Sequence, residues 1–131
     1  MLRPSLRTCW DLFVLRRRLP KMVETQSLDV LLAQLESWNP RVRTTRRTLE
    51  DSITVTEALV TRLRLAPDTC LYRSMARYAL LRGHGVRATF CMGVNPPPYS
   101  STGHAWVEDE DGPYRERIDD GQYVVTLWRP Q

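Results

Sequence analysis

The sequence predicts an α+β fold, in which helices come first and a small antiparallel sheet follows. Up to about residue 83, apolar residues recur every three or four positions, as they do on one face of a helix. After Gly85 they alternate at every second position, as in a half-buried strand. Because the helices precede the strands instead of alternating with them, an α+β arrangement is favoured over a parallel α/β sheet.

Four helices are predicted in the first part of the chain. Arg16 to Arg18 would close the first helix with favourable charge, and Pro20 would stop it because proline removes a helical hydrogen bond. Ser27 is a typical cap for the second helix, and Pro67-Asp68-Thr69 signals the start of the fourth. Gly83 is expected as the residue that closes the fourth helix. The predicted helices span residues 5–18, 28–38, about 49–65 and 70–82.

Four strands are predicted after Gly85. The proline-rich segment from Asn95 to Gly103 cannot pair in a sheet, so we expect it to be a loop. Asp111-Gly112 predicts a hairpin turn, and Asp119-Asp120-Gly121 predicts a second turn. The predicted strands cover residues 86–94, 104–108, 114–118 and 123–128.

Composition limits the classes of function. The 131 residues are enough for one domain, and 42% hydrophobic content is ordinary for a globular protein. Residues 1–66 hold twelve basic and seven acidic side chains, a net +5, which we interpret as a solvated arginine-rich surface. No aromatic residues interleave with these arginines, so nucleic-acid binding is not expected. No run is apolar enough for a signal peptide or a membrane span, and the odd count of three cysteines argues against disulfides. We therefore expect a cytoplasmic protein with reduced thiols and no membrane association.

A cysteine and a histidine stand at positions that suit nucleophilic catalysis. Cys70 lies in the first turn of a predicted helix, where free N–H groups and the helix dipole favour the thiolate. His104 opens the strand after the proline-rich loop, whereas His84 is expected in an exposed turn. On the return strand, a carboxylate between Glu116 and Asp120 is placed to orient the imidazole.

These residues resemble the lasso-peptide leader peptidases, which are transglutaminase-like cysteine proteases. The resemblance covers residues 67–131 and rests on three features: the run CLYRSMARYALLRGHGVRATFCMGV, the proline-rich loop, and HAWVE followed by an Asp-Gly turn. It implies a transglutaminase/papain-like core with Cys70 as nucleophile, His104 as general base and Glu116 as the third member. Gly112 comes one residue later than the usual turn glycine, so Asp119 and Asp120 remain alternatives to Glu116.

The resemblance also implies a reaction and its partners. The enzyme would cut the leader peptide from a ribosomally made precursor, freeing an amine that a lasso cyclase then uses. Residues 67–131 would form the peptidase core of a single domain spanning 1–131, with residues 1–66 as a helical lead-in. The lead-in is too short and too helical for the winged-helix recognition domain, so a separate leader-recognition protein (a RiPP recognition element) is expected. No metal or cofactor is implied.

Two rival functions use the same residues in other ways. A transglutaminase- or acetyltransferase-like acyl transferase would employ Cys70 and His104 with an amine in place of water. A non-catalytic peptide-binding domain would not use the thiol at all. The backbone N–H of Cys70 would donate to the oxyanion in either enzyme, with the Trp106 indole as a candidate second donor.

Overall fold

The computed structural model describes residues 1–96 and 103–130, and within them it has the predicted α+β order. The central part of the predicted proline-rich loop, residues 97–102, lies outside the described residues. Four helices precede a four-stranded antiparallel sheet with the strand order β3-β2-β1-β4. The elements are α1 (Leu6–Thr25), α2 (Leu28–Glu36), α3 (Arg46–Leu63), α4 (Cys70–Gly83), β1 (Thr89–Val94), β2 (Gly103–Asp109), β3 (Gly112–Pro113) and β4 (Val124–Arg129).

Each helix begins at a hydroxyl cap. The side-chain oxygens of Ser5, Ser27, Thr45 and Thr69 each accept the N–H of the residue three positions later, which satisfies one of the free donors at a helix start. Thr45 explains why α3 starts earlier than the apolar periodicity indicates. At the other end of α4 the left-handed residue is Gly85, with φ of +78°, and not Gly83.

The prediction that α1 ends at Pro20 is wrong, because the helix continues through the proline to Thr25. Proline removes one hydrogen bond, but burial on both sides of it compensates. Leu19 is fully buried before Pro20, and Met22 and Val23 pack against the core after it. Arg16, which was expected to be solvated, is buried instead.

The two faces of the sheet have different surroundings. In β1 and β2, Phe90 faces Val107 and belongs with it to the main hydrophobic core, which the helices cover. Cys91 pairs with Trp106, and these two residues directly follow and precede Phe90 and Val107. Because successive side chains on a strand point to opposite faces, Cys91 and Trp106 lie on the other face of the sheet. Tyr123, just before β4, lies on that second face, and its ring centroid is 5.6 Å from that of Trp106.

The predicted strand over residues 114–118 is also wrong. β3 ends at Pro113; Tyr114 N–H still donates to the Val107 carbonyl at 2.7 Å, but Arg115 then turns the chain away with φ of +57°. The Arg115 guanidinium donates to the Glu50 carboxylate at 2.9 Å and to Thr54 Oγ1 at 2.8 Å, both on α3. Helix α3 therefore draws this segment off the sheet edge.

Among the described residues, no helix is long and apolar enough to cross a membrane.

Glu36 joins α2, α4 and β4. Its carboxylate accepts hydrogen bonds from Arg129 Nε at 2.9 Å, from Arg129 Nη2 at 3.1 Å and from Tyr78 Oη at 2.7 Å. The hydrogen bond from Arg129 lowers the pKa of Glu36; partial burial opposes this, and the Tyr78 bond adds to the lowering. Because the folded-state pKa lies below the unfolded one, the contribution to stability is present at neutral pH and is lost as pH falls through the folded value.

We predict that Glu36→Gln lowers the free energy of unfolding by about 1–2 kcal/mol at pH 7, since it weakens charge-assisted hydrogen bonds. The difference from wild type should shrink as the pH falls below the ordinary pKa of a glutamate, because Glu36 itself then becomes protonated. Urea unfolding at several pH values measures both effects. The matched control is Asp29→Asn, because Asp29 is exposed and lies 3.4 Å from the same arginine. A pH-independent difference for Glu36→Gln would contradict the prediction.

Candidate active site

Cys70 is the first residue of α4. Thr69 caps the helix by accepting the Tyr72 N–H at 3.3 Å. The N–H groups of Cys70 and Leu71 have no backbone acceptor in the described part of the chain. The half-buried thiol of Cys70 therefore lies where free donors and the positive end of the helix dipole meet.

The segment before Cys70 is anchored by Asp68. Its carboxylate accepts from the buried Arg16 guanidinium at 3.0 Å, from Arg73 at 3.2 Å and from Thr61 Oγ1 at 2.8 Å. Arg16 also donates to the Pro67 carbonyl at 3.3 Å. Partial burial would raise the pKa of Asp68, but the hydrogen bonds from Thr61 and Arg16 outweigh it and hold the pKa below its usual range. The turn that presents Cys70 is thus fixed from α1 and α3.

His104 lies near the start of β2 in a cluster of three rings. Its centroid lies 5.3 Å from that of Tyr123 and 6.0 Å from that of Trp106, and the last two are 5.6 Å apart. His104 Nε2–H donates to Glu116 Oε1. Since Nε2 bonds to the carboxylate, Nδ1 is the ring nitrogen that stays open to accept a proton; it has no hydrogen-bond partner among the described residues.

Glu116 is itself held by a buried arginine. Arg77 on α4 lies 3.9 Å from Glu116 Oε2, and its guanidinium binds Glu57 of α3 through two hydrogen bonds of 2.7 Å. The same guanidinium lies 5.8 Å from the centre of the Tyr114 ring. A row of charged side chains, Glu57, Arg77 and Glu116, therefore leads from α3 to His104 on β2.

Cys70 and His104 lie at the same end of the layer formed by α4 and β2. Ser74 lies one turn after Cys70 and donates to the Ala105 carbonyl at 2.9 Å. Ala105 belongs to the first part of β2, which does not pair with β3. Arg82, at the far end of α4, contacts the Ala88 carbonyl, next to the residue that pairs with Glu108. Helix and strand thus run in the same direction, which places Cys70 and His104 at the same end of this layer; no hydrogen bond between the two side chains is seen among the described residues.

The three carboxylates left open by the sequence have different surroundings. Glu116 contacts His104, whereas Asp119 pairs with Arg117 at 3.2 Å in an exposed turn. Asp120 is exposed. The Trp106 indole, a candidate oxyanion donor, donates instead to Glu108 at 2.9 Å. His84 bonds to the Leu80 carbonyl at the end of α4, away from the site.

Several residues of this site are missing from the sequence-based set. Arg77 and Arg16 occur in helical patterns that predict solvated charges, and nothing local marks them as buried. Gly93 carries a usable signal, a glycine inside a strand, which often marks a close approach. A Cβ on Gly93 would lie 2.9 Å from the Val124 carbonyl oxygen and 3.0 Å from Tyr123 Cβ, so the absent side chain makes room for the Tyr123 segment.

The other two cysteines have different environments. Cys91 is buried in β1, and burial, together with the nearby Glu108 charge, raises the pKa of its thiol to about 12. At neutral pH Cys91 is therefore protonated and unreactive. Cys9 is half-buried and lies 3.7 Å from the Ser52 carbonyl. Within residues 1–96 and 103–130, no cluster of three or more His, Cys, Asp or Glu side chains could hold a metal ion.

We predict that Gly93→Ala destabilises the protein by about 1–3 kcal/mol, because the new methyl group must displace β4 or Tyr123. The ring protons of His104 should shift in the NMR spectrum, since Tyr123 supplies part of their ring current. Gly103→Ala, on the paired strand, is the matched control for stability because its Cβ would meet no atom of the described residues closer than 3.5 Å. Equal stability of Gly93→Ala and wild type would contradict the close approach.

Comparison with known proteins matches the chain at the level of a superfamily. No curated protein and no solved structure matches the chain significantly. A family model described as the transglutaminase-like superfamily matches residues 12–129, so the likeness extends well upstream of residue 67. Members of this superfamily are generally cysteine proteases or acyltransferases. The chain belongs to the transglutaminase-like superfamily.

Proposed function

We propose that the protein is a cytoplasmic cysteine peptidase that removes the leader peptide from a ribosomally synthesised lasso precursor, freeing the amine of the core peptide. The observation that carries the proposal is the His104–Glu116 pair at the start of β2, which lies at the same end of the α4–β2 layer as Cys70. The resemblance of CLYRS and HAWVE to lasso leader peptidases supports the choice of substrate.

The first chemical step transfers the thiol proton and forms the acyl-enzyme. His104 Nδ1 takes the proton from Cys70, and the thiolate attacks the carbonyl carbon that joins leader to core. Glu116 holds the imidazole in the tautomer that leaves Nδ1 free and stabilises the imidazolium. The imidazolium then donates its proton to the departing core amine, and the leader remains attached to Cys70 as a thioester.

The second step is hydrolysis of the thioester. His104 takes a proton from water, the resulting hydroxide attacks the acyl carbon, and the leader leaves with a free carboxylate while the thiol regains its proton. The backbone N–H of Cys70, which has no backbone acceptor among the described residues, supports the oxyanion in both steps. Because the Trp106 indole is bonded to Glu108, we do not assign it this role.

The surface beside Arg77 and Glu116 leaves room for a substrate. A depression of about 430 Å³ opens next to Glu116 and is lined by Arg73 and Arg77, which follow Cys70 at helical spacing on the same face of α4. An extended peptide lying across this face would reach the thiol. The partners that we propose are the precursor leader, a separate leader-recognition protein and a lasso cyclase, which would use the freed amine.

We predict that Cys70→Ala and His104→Ala each reduce precursor cleavage by more than about 1,000-fold without unfolding the protein, because each removes a reacting group. Mass spectrometry of a lasso precursor peptide, incubated with the protein in the presence and absence of a leader-recognition protein, measures the rate. Cys9→Ser is the matched control and should stay within about threefold of wild type.

Two outcomes would change the assignment. Cleavage by Cys70→Ala near the wild-type rate would end the peptidase proposal. Transfer of the leader to an added amine in preference to water would identify an acyl transferase with the same residues.

We also predict that Glu116→Gln lowers kcat by about 100-fold or more, since the amide no longer stabilises the imidazolium. Asp119→Asn should change kcat by less than about twofold, because Asp119 faces Arg117 in the solvent. Single-turnover cleavage separates the chemical step from binding. If Asp119→Asn were the more damaging change, Glu116 would not be the orienting acid.

A further inference from the structure

An apolar groove runs between α1 and α3 on the surface of the protein. It has a volume of about 340 Å³ and is lined by Leu6, Cys9, Trp10, Phe13, Thr56, Leu59, Val60 and Leu65. Leu6 and Trp10 are 82% and 56% exposed, and Leu59 and Leu63 of α3 are also exposed. Single exposed apolar residues are normal, but a continuous apolar groove on two helices indicates an interaction surface.

A polar group on the lining of the groove also lacks a partner. The Thr56 side chain lines the groove, is 4% exposed, and its Oγ1 has no hydrogen-bond partner in the described part of the chain. The oxygen itself is covered, so an occupant reaches it only where the side chains around the groove move apart; the new hydrogen bond then removes the cost of a buried hydroxyl without a partner.

The shape of the groove suits a helix. From Leu6 to Phe13 the α1 side of the groove extends about 10 Å, which corresponds to roughly two helical turns. A third helix can pack its side chains into a groove between two helices, with anchors spaced three or four residues apart. A flat bilayer surface cannot fill a concave groove of this kind.

The charges around the groove are mainly basic. Arg7 lines the adjoining depression with Leu6 and Trp10, and Arg17 donates to the Leu65 carbonyl at the opposite end, at 2.8 Å. The acidic residue of that depression, Asp11, already faces Arg41 at 3.7 Å. A second copy of this chain, whose net charge is +4, would bring like charges together.

We infer that the α1–α3 groove binds an amphipathic helix of a partner protein, with an apolar stripe facing the groove and acidic residues facing Arg7 and Arg17. The inference goes beyond the proposed function, because binding at this surface requires no cleavage. The groove ends at Leu65, two residues before Pro67, whose carbonyl Arg16 binds. The bound helix would therefore lie against the segment that leads to Cys70.

Two synthetic 15-residue peptides test the inference. Both carry the same leucine stripe at helical spacing, one with glutamates and the other with lysines at the polar positions, and fluorescence anisotropy measures their Kd. We expect the glutamate peptide to bind at least tenfold more tightly than the lysine peptide. Leu59→Gln and Arg7→Glu should each weaken its binding at least fivefold.

Matched variants control for unspecific effects. Val30→Gln removes an exposed apolar side chain on α2, and Arg87→Glu reverses an exposed charge between α4 and β1; neither should change Kd by more than about twofold. Equal binding of both peptides, no binding of either, or indifference to Leu59→Gln would overturn the inference. The inference would also be overturned if the protein dimerised or bound anionic vesicles and Leu59→Gln abolished that association. The groove would then bind a second copy or a membrane.

Discussion

The Arg77 guanidinium is the charge around which the candidate site is built. It is buried on α4, and a buried charge is tolerated only when opposite charges and hydrogen bonds surround it. Glu57 supplies two hydrogen bonds from α3, and Glu116 comes near from the segment after β3. The requirement to neutralise one arginine thus brings together the helices and the carboxylate that binds His104.

Cys70, the proposed nucleophile, depends on the early helices in a parallel way. Arg16 of α1 and Thr61 of α3 hold Asp68, which lies two residues before Cys70. Because a buried ion pair adds geometric definition more reliably than net stability, we interpret this contact as positioning the turn before α4. Residues 1–66 therefore contribute to the geometry of the site, and the family match that begins at residue 12 agrees with such a role.

Local chemistry predicted much of the fold, and long-range contacts decided the rest. Hydroxyl caps and apolar periodicity predict the starts of α2 and α4, because both signals come from neighbouring residues. The continuation of α1 through Pro20 depends on burial against the core, and the end of β3 depends on Arg115 reaching Glu50. Neither contact can be recognised from the neighbouring sequence.

The same distinction applies to the candidate site. Cys70 and His104 can be chosen from the sequence because a helix start and a strand start are local features. The choice among Glu116, Asp119 and Asp120 requires the path of the chain after Gly112, which Arg115 redirects with its left-handed backbone. Arg77 has no local signal, since an arginine on an amphipathic helix is normally solvated.

The row from Glu57 through Arg77 and Glu116 to His104 has a consequence for the order of events during synthesis. A ribosome makes the chain from the N-terminus, so Cys70 appears before His104 and Glu116. In the proposed mechanism, the Cys70 thiol has no oriented base until Glu116 has been made and has packed against Arg77. A growing chain would therefore carry an unreactive cysteine, and the proposed activity would arise only after the helices have packed against the sheet.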